Sequence, residues 1–423
     1  MIKFGLQVHI TEKCRYNCTH CYMDRNPVDM DNSVVEAIKE QITSLKKNGI
    51  RIGRISLTGG DPLCHPNWEH ITSEFFNLGL KIKFLGTPKT LTADTINLFH
   101  KYNMDSFQVS LDGLQIKHES IRGEKTFQET IDALLLLHKN GILPHIMFTV
   151  NEYNKSDLIP LIDYLHTLDI PILFGFDFCV PIGNASKNNL FLTVPSRKEI
   201  IEIFCQKQQE LNKLGTKLLL CEKSHYINAY KYKKNSYMED AEKEYTNMGG
   251  CSAGWSSLSI MPNGDVYPCR RLPYVLGNVL KDDLFGIIMN HDFMRKLRNR
   301  ESFGLCSSCE KYLVCRGCPA VEYASTGDFS PKQCEFYSKR ADRLVNLNET
   351  FDHKSKLLMN IINVIFETDS FVQNKDFLRS FYILKSKENQ EDFVKDPNGW
   401  MKKNNFNLTR QEIIYLLSSY YLN

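Results

Sequence analysis

The chain has 423 residues, of which 42% are hydrophobic and 24% charged, enough apolar material for two or three cores. A formal charge of +3 is small for this length and excludes a strong nucleic-acid or membrane-surface field, and no apolar run is long enough to span a bilayer. No charged-apolar-small export signal opens the chain, so 14 cysteines point to metal ligation in a reducing cytoplasm rather than to disulfides.

Phe4 to Ile10 alternates, with Leu6, Val8 and Ile10 on one side, and predicts a strand. Thr11-Glu12-Lys13 leads off its end into Cys14-x3-Cys18-x2-Cys21, with Tyr22 directly after. A cubane iron-sulfur cluster needs four ligands and soft thiolate suits iron, so three cysteines in one short loop hold three corners and leave the fourth iron bare. The competing reading is a structural zinc or iron-sulfur knot.

Further strands are expected at Arg54 to Thr58, Ile82 to Gly86, Phe107 to Leu111, His145 to Val150 and Ile172 to Phe176. Helical patterns lie between them, clearest at Val34 to Lys47, Thr126 to Asn140 and Leu158 to Leu168. This alternation predicts right-handed βαβ units and a parallel sheet, a class that places its chemistry on loops leaving the carboxyl ends of strands. Three such ends carry polar motifs. Thr58-Gly59-Gly60-Asp61-Pro62 offers two glycines whose backbone can approach a ligand closely, or else an ordinary strand-to-helix turn. Ser110-Leu111-Asp112-Gly113 is followed by His118 and Arg122-Gly123, and a hydroxyl with a guanidinium suits a carboxylate. Asn151 closes the fifth strand as a ribose contact or a plain turn former.

Glu222 to Thr246, charged and Tyr-rich, reads as linker and surface helix. A second array follows: Cys251-x12-Gly264-x4-Cys269, then Cys306-x2-Cys309-x5-Cys315-x2-Cys318, and finally Cys334, too many thiols for one site. Structural zinc is again the alternative. Cys64 and Cys205 read as small buried side chains, whereas Cys179, just past the sixth strand, either packs or faces the barrel mouth as a redox relay. Beyond Cys334, Leu357, Leu358, Ile361, Ile362 and Ile365 share one helix face. Asp396-Pro397-Asn398-Gly399 is a turn signal, and a last helix is expected from Thr409, with Glu412 completing its capping box.

The first cysteine spacing with its aromatic residue resembles the signature of the radical S-adenosylmethionine (radical SAM) superfamily, and the second array resembles the SPASM domain. The resemblance implies a partial (βα)6 TIM-like barrel at residues 1–220 and a linker at 221–247. It further implies a cysteine-rich SPASM domain at 248–340, followed by a helical C-terminal extension at 341–423 that caps the preceding domain or docks a partner. It also implies a four-iron cluster on Cys14, Cys18 and Cys21 whose bare iron is chelated by the amino and carboxylate groups of S-adenosylmethionine. Gly59, Gly60 and Asp61 match the GGEP element that holds the methionine ammonium, with aspartate replacing glutamate. Ser110 and Arg122 match the residues around the cofactor's carboxylate and ribose, and Tyr22 and Asn151 complete the expected contacts. In the second array, Cys306, Cys309, Cys315 and Cys334 would enclose one auxiliary four-iron cluster, leaving Cys251, Cys269 and Cys318 for another. Its fourth ligand is open between Cys221, water or serine, and a substrate thiolate. The family usually has three residues where Arg316-Gly317 supplies two.

The activity so implied is hydrogen abstraction from a residue of a ribosomally made precursor peptide or small protein, giving a crosslinked or otherwise oxidised product. Electrons would come from a donor such as flavodoxin or ferredoxin, and neither nucleic acid nor membrane is expected as a partner. Anaerobic sulfatase maturases and small-molecule dehydrogenases of the same architecture are alternatives, although the former have an aspartate where Arg270 and Arg271 follow Cys269. A zinc-binding interaction protein is the non-enzymatic alternative.

Overall fold

In the computed structural model, residues 2–23, 27–104, 106–221, 224–231, 250–309, 311–312, 314–337, 392–393 and 395–404 are described. The chain runs β1 (Ile2–Thr11), α1 (Asn32–Lys47), β2 (Ile50–Gly59), α2 (Trp68–Asn77), β3 (Lys81–Leu85), α3 (Ala93–Lys101) and β4 (Ser106–Ser110). It continues through α4 (Gln115–Arg122), α5 (Thr126–Lys139), β5 (Leu143–Val150), α6 (Leu158–Thr167), β6 (Ile172–Phe178), α7 (Gly183–Lys187), α8 (Val194–Leu214), β7 (Leu218–Leu220) and α9 (His225–Lys231). Then come β8 (Ser257–Ile260), β9 (Asp265–Tyr267) and β10 (Gly277–Asn278), followed by short helices at Leu284–Asn290, Asp292–Arg298, Pro319–Thr326 and Pro397–Asn404.

The ten strands among the described residues form one sheet in the order β10-β9-β8-β1-β2-β3-β4-β5-β6-β7. Strands β1 to β7 are parallel throughout, with helices returning the chain between them, as the alternating pattern requires. The six expected strands are all present. The addition is at both edges: three residues of β7 extend the sheet beyond β6, and β8, from the cysteine-rich region, pairs parallel with β1 from Gly5↔Ser257 to Val8↔Ile260. The two expected domains therefore share a sheet.

Side chains alternate across a strand, so each ladder divides them between two faces. On the outer face, Phe4, Leu6, Val8 and Ile10 of β1 and Ile55 and Leu57 of β2 are buried. Val34, Val35, Ile38, Ile42 and Leu45, the buried stripe of α1 at helical spacing, join them in one hydrophobic cluster. Farther along, Phe84, Phe99 and Phe107 pack ring on ring, with Phe99 and Phe107 centroids 5.4 Å apart and Trp68 edge-on to Phe84. The inner face is polar by comparison. Register places Gln7 beside Ser56, His9 beside Thr58, Leu85 beside Gln108, Gln108 beside His145, Ser110 beside Met147 and Thr149 beside Asp177.

Two expectations are corrected here. The segment read as linker and surface helix includes α9, which buries Tyr226, Ile227 and Ala229, Tyr226 packing on Phe178 and Phe336. The turn read at Asp396-Pro397-Asn398-Gly399 is a helix start: proline is tolerated in a first helical turn, where its missing N-H is not needed, and Asp396 accepts from Gly399 N-H at 3.0 Å. The helices expected around 357–365 and from Thr409, and most of 221–247 and 341–423, lie outside the described residues.

Candidate active site

The loop after β1 is anchored from three sides. Thr19 N-H donates to Ile121 O at 2.9 Å at the end of α4. Asn184, in α7, donates from Nδ2 to Cys18 O at 3.1 Å and from its N-H to Cys21 O at 2.8 Å, and Asn188 Nδ2 donates to Thr19 O at 2.8 Å. Gly183 permits this approach: with φ of 56°, a Cβ there would stand 2.6 Å from Cys21 O. None of Gly183, Asn184 and Asn188 was marked by the sequence, because α7 lies far from the loop in the chain and matches no motif.

Cys14, Cys18 and Cys21 line one cavity together with Tyr22, Gly59, Gly60, Ser110 and Arg122. Burial pushes the Cys14 thiol up to about 12 against a hydrogen bond from Tyr16 N-H, and the neighbouring Cys18 and Cys21 push it further. Three crowded thiolates are stable only beside compensating positive charge, which an iron core supplies. Among the described residues no three His, Cys, Asp or Glu side chains converge closely enough to grip a single ion.

The Gly59-Gly60 turn presses against this loop. Gly60 N-H donates to Thr11 O at 2.9 Å and Asp61 N-H to Lys13 O at 2.8 Å. A Cβ at Gly59 would stand 1.9 Å from Thr11 O, and one at Gly60 2.3 Å from Lys13 O. A cationic amine asks for carbonyl acceptors rather than N-H donors, so this pairing does not compete with it. Asp61 is placed otherwise: its carboxylate is fully buried and accepts from Thr87 Oγ1 at 2.5 Å, Thr90 Oγ1 at 2.8 Å and Leu63 N-H at 3.2 Å. It caps the turn Pro62–Cys64 and does not line the cavity.

Arg122 ends α4 and points back under the cysteine loop. Its Nε donates to Asp112 Oδ2 at 2.5 Å, and its terminal nitrogens lie 3.5 Å from Cys18 Sγ and 3.5 Å from His20 Nε2. Asp112 also accepts from Thr149 N-H at 2.7 Å and meets His20 at 3.0 Å. Burial alone would raise the Asp112 carboxyl, but Arg122 and His20 beside it hold it well below the usual carboxylate range. His118 accepts from Asp112 N-H at 3.0 Å, and burial lowers its imidazole to about 3, so it is neutral at physiological pH. Asn151 forms a turn, its Oδ1 accepting from Tyr153 N-H at 3.0 Å and Asn154 N-H at 3.2 Å, and it is not among the residues that line the cavity.

Met147, Thr149, Asp177 and Cys179 continue the cavity wall, and Arg270 and Arg271 bound it from the cysteine-rich region. Cys179, read in the sequence as either packing or facing the barrel mouth, is buried and borders the cavity, whereas Met147, Thr149 and Asp177 carry no motif, although with Gln108 they are the inner-face members of strands already located and follow from the period of two. Arg271 donates to Asp177 Oδ2 at 2.5 Å and to Phe178 O at 3.1 Å. The guanidinium of Arg270 lies 5.6 Å from the centroid of the Tyr22 ring.

In the second array the thiols that lie close enough to influence one another fall into two groups. Burial raises the Cys315 thiol, with Cys306, Cys334 and Cys309 as thiol neighbours that add to the effect. Burial pushes the Cys251 thiol up to about 12, with Cys318 and Cys269 as its thiol neighbours. The short loop closes because Arg316 and Gly317 both take left-handed backbone, with φ of 63° and 66°. Arg316 tolerates this while donating to Cys251 O at 2.6 Å and stacking 5.0 Å from the Trp255 ring centroid. Cys318 thereby stays with Cys251 and Cys269. Cys221 turns its thiol to Leu219 O at 4.0 Å. Of the remaining cysteines, Cys205 is buried, while Cys64 is only half-buried, not fully as expected.

The radical SAM superfamily pattern matches residues 8–165, and the pattern of an iron-sulfur cluster-binding domain, SPASM, matches residues 251–319. Over 328 residues the chain is 26% identical to an AdoMet-dependent heme synthase of Methanosarcina barkeri, covering 76% of this chain and 92% of that one. It is 24% identical over 318 residues to AlbA, the antilisterial bacteriocin subtilosin biosynthesis protein of Bacillus subtilis, covering 73% of this chain and 65% of that one. Mycofactocin maturase MftC of Mycolicibacterium smegmatis is 23% identical over 336 residues, covering 74% and 77%. Streptococcus suis SuiB shares the fold, with a TM-score of 0.63 at 17% identity over 80% of this chain and 77% of that chain. Among the described residues no helix is long and apolar enough to cross a membrane.

Proposed function

The chain belongs to the radical SAM superfamily and carries a SPASM domain, and on that premise we propose that it matures a ribosomally synthesised peptide in the cytoplasm. Its cofactors are a four-iron cluster, S-adenosylmethionine and auxiliary iron-sulfur clusters. When bound, the first cluster and S-adenosylmethionine supply a 5'-deoxyadenosyl radical that takes hydrogen from an unactivated carbon. Cys14, Cys18 and Cys21 would hold that cluster, and Gly59, Gly60, Ser110 and Arg122 would bind and orient the nucleotide. Asp112 and His20 fix Arg122, so that its guanidinium stays beneath the thiols. Tyr22 and the buried cavity walls exclude water. Cys306, Cys309, Cys315 and Cys334 would hold one auxiliary cluster, and Cys251, Cys269 and Cys318 another, to accept the electron released when the product radical is oxidised. A small reduced carrier such as flavodoxin or ferredoxin would start each turnover.

The observation that carries this reading is the convergence of Cys14, Cys18, Cys21, Gly59, Gly60, Ser110 and Arg122 on one cavity at the carboxyl ends of the strands, with the second cysteine array adjoining it. AlbA and MftC, named for the biosynthesis of a bacteriocin and the maturation of mycofactocin, favour a peptide. The test is anaerobic reconstitution and mass analysis of short peptides encoded beside the gene. A loss of two hydrogens supports oxidative crosslinking or dehydrogenation, while unchanged peptides despite 5'-deoxyadenosine formation would remove the peptide reading. A second reading, a step of heme synthesis, is favoured by the 92% coverage of the heme synthase, against 65% for AlbA. A panel of porphyrin substrates in the same assay separates the two.

A further inference from the structure

The charged side chains around the cavity are not equally satisfied. Arg122 is matched by Asp112, and Arg271 by Asp177 and the Phe178 carbonyl. Arg270 borders the same cavity, and among the described residues its guanidinium meets no carboxylate or carbonyl, only the face of Tyr22. Two consecutive arginines thus do different work. Arg271 bolts the cysteine-rich region to the end of β6, while Arg270 lies over the Tyr22 ring with its donors meeting no oxygen among the described residues.

The planar fork of a guanidinium at the border of a cavity matches a carboxylate with two parallel, charge-assisted hydrogen bonds. Tyr22 sits directly after Cys21, so a group paired with Arg270 is held beside the cysteine loop where the radical arises. We propose that Arg270 is a specificity-determining residue that selects a substrate bearing a carboxylate at or next to the reacting residue, either an acidic side chain or a terminal carboxylate. This inference rests on the peptide-modifying reading and narrows its substrate class. It also separates this chain from a site with an acidic residue directly after Cys269, since a cation there attracts an anionic group where an aspartate repels it.

The probe is a pair of acetylated, amidated pentapeptides, Gly-Gly-Glu-Gly-Gly and Gly-Gly-Gln-Gly-Gly, titrated calorimetrically into the anaerobically reconstituted full chain with S-adenosylmethionine present and no reductant. The expected result is binding of the glutamate peptide roughly ten- to hundredfold tighter than the glutamine peptide, the range of one charge-assisted pair. Arg270→Gln should erase the difference, Arg270→Lys should keep part of it, and Arg270→Glu should turn the preference toward Gly-Gly-Lys-Gly-Gly. Failure of the unsubstituted protein to distinguish the first two peptides overturns the proposal. So does a tenfold loss of S-adenosylmethionine affinity in Arg270→Gln, which would give the guanidinium to the cofactor's own carboxylate. Formation of 5'-deoxyadenosine under dithionite is read separately: its absence with peptide discrimination intact would sink the radical reading and leave the carboxylate site standing.

Discussion

Gly60 has no room for a side chain, and that single constraint ties the second strand end to the cysteine loop. A Cβ there would lie 2.3 Å from Lys13 O and 2.6 Å from Glu12 O, both backbone atoms that cannot swing aside. Gly60→Ala is therefore expected to displace the loop and lower iron content after reconstitution, whereas Gly53→Ala, with nothing within 4 Å, should leave it unchanged. Asp112 gives a second prediction at this scale. Replacing it by asparagine leaves the Arg122 charge buried without its partner, at a cost of about 3–5 kcal/mol. Glu74→Gln, which removes a surface partner of Lys39, should cost less than about 1 kcal/mol. Thermal unfolding of the two variants checks the ranking. Because the Asp112 carboxyl is held below its ordinary range, its contribution is fully present above the unfolded value of about 3.9 and is lost only as pH falls below that. The Asp112→Asn deficit should thus be constant from pH 5 to 8 and shrink below about pH 4.

Among the elements, α8 is the long helix whose start is fixed by local chemistry. Thr193 caps it, its hydroxyl accepting from Ser196 N-H at 3.5 Å, while Glu152 accepts from Thr193 N-H at 3.0 Å and pairs with Lys155. Thr193→Ala should cost about 1 kcal/mol, seen as a lower unfolding midpoint with no change in iron content. The strands were legible because their outer faces are apolar in strict alternation, and α1, α5 and α6 because their stripes follow the 3.6-residue period. Strand β7 is three leucines, too short for any period to register, and β8 is a strand because β1 offers an unpaired edge, information that lies more than 240 residues away. Asn151 shows the limit at the level of one turn: the residue type suited either role, and only the folded chain shows that its amide oxygen is taken by the turn to Asn154.

For the molecule as a whole, the shared sheet makes the cysteine-rich region part of the active-site wall, because Arg270 and Arg271 enter the cavity only when β8 is seated on β1. The three thiol sets should nevertheless be separable. Cys18→Ala is expected to abolish 5'-deoxyadenosine formation and remove one cluster's iron, whereas Cys309→Ala should lose a similar amount of iron, keep some cofactor cleavage and yield no product. Iron analysis with chromatography of 5'-deoxyadenosine distinguishes them, and full product from Cys309→Ala would contradict the electron-accepting role. The alternating faces are local patterns, and from them the parallel sheet was legible, while the cysteine spacings and polar strand ends marked Cys14, Cys18, Cys21, Ser110 and Arg122, which the fold brings to one cavity. Which way the Asp61 carboxylate turns, which loop Gly183 and Asn184 brace, how the Arg316-Gly317 loop places Cys318, and that Arg271 meets a carboxylate while Arg270 meets none among the described residues were decided only by the folded chain. Hydrogen-bond partners and steric contacts between distant segments exist nowhere in one-dimensional order; they arise when packing brings those segments within a few ångströms.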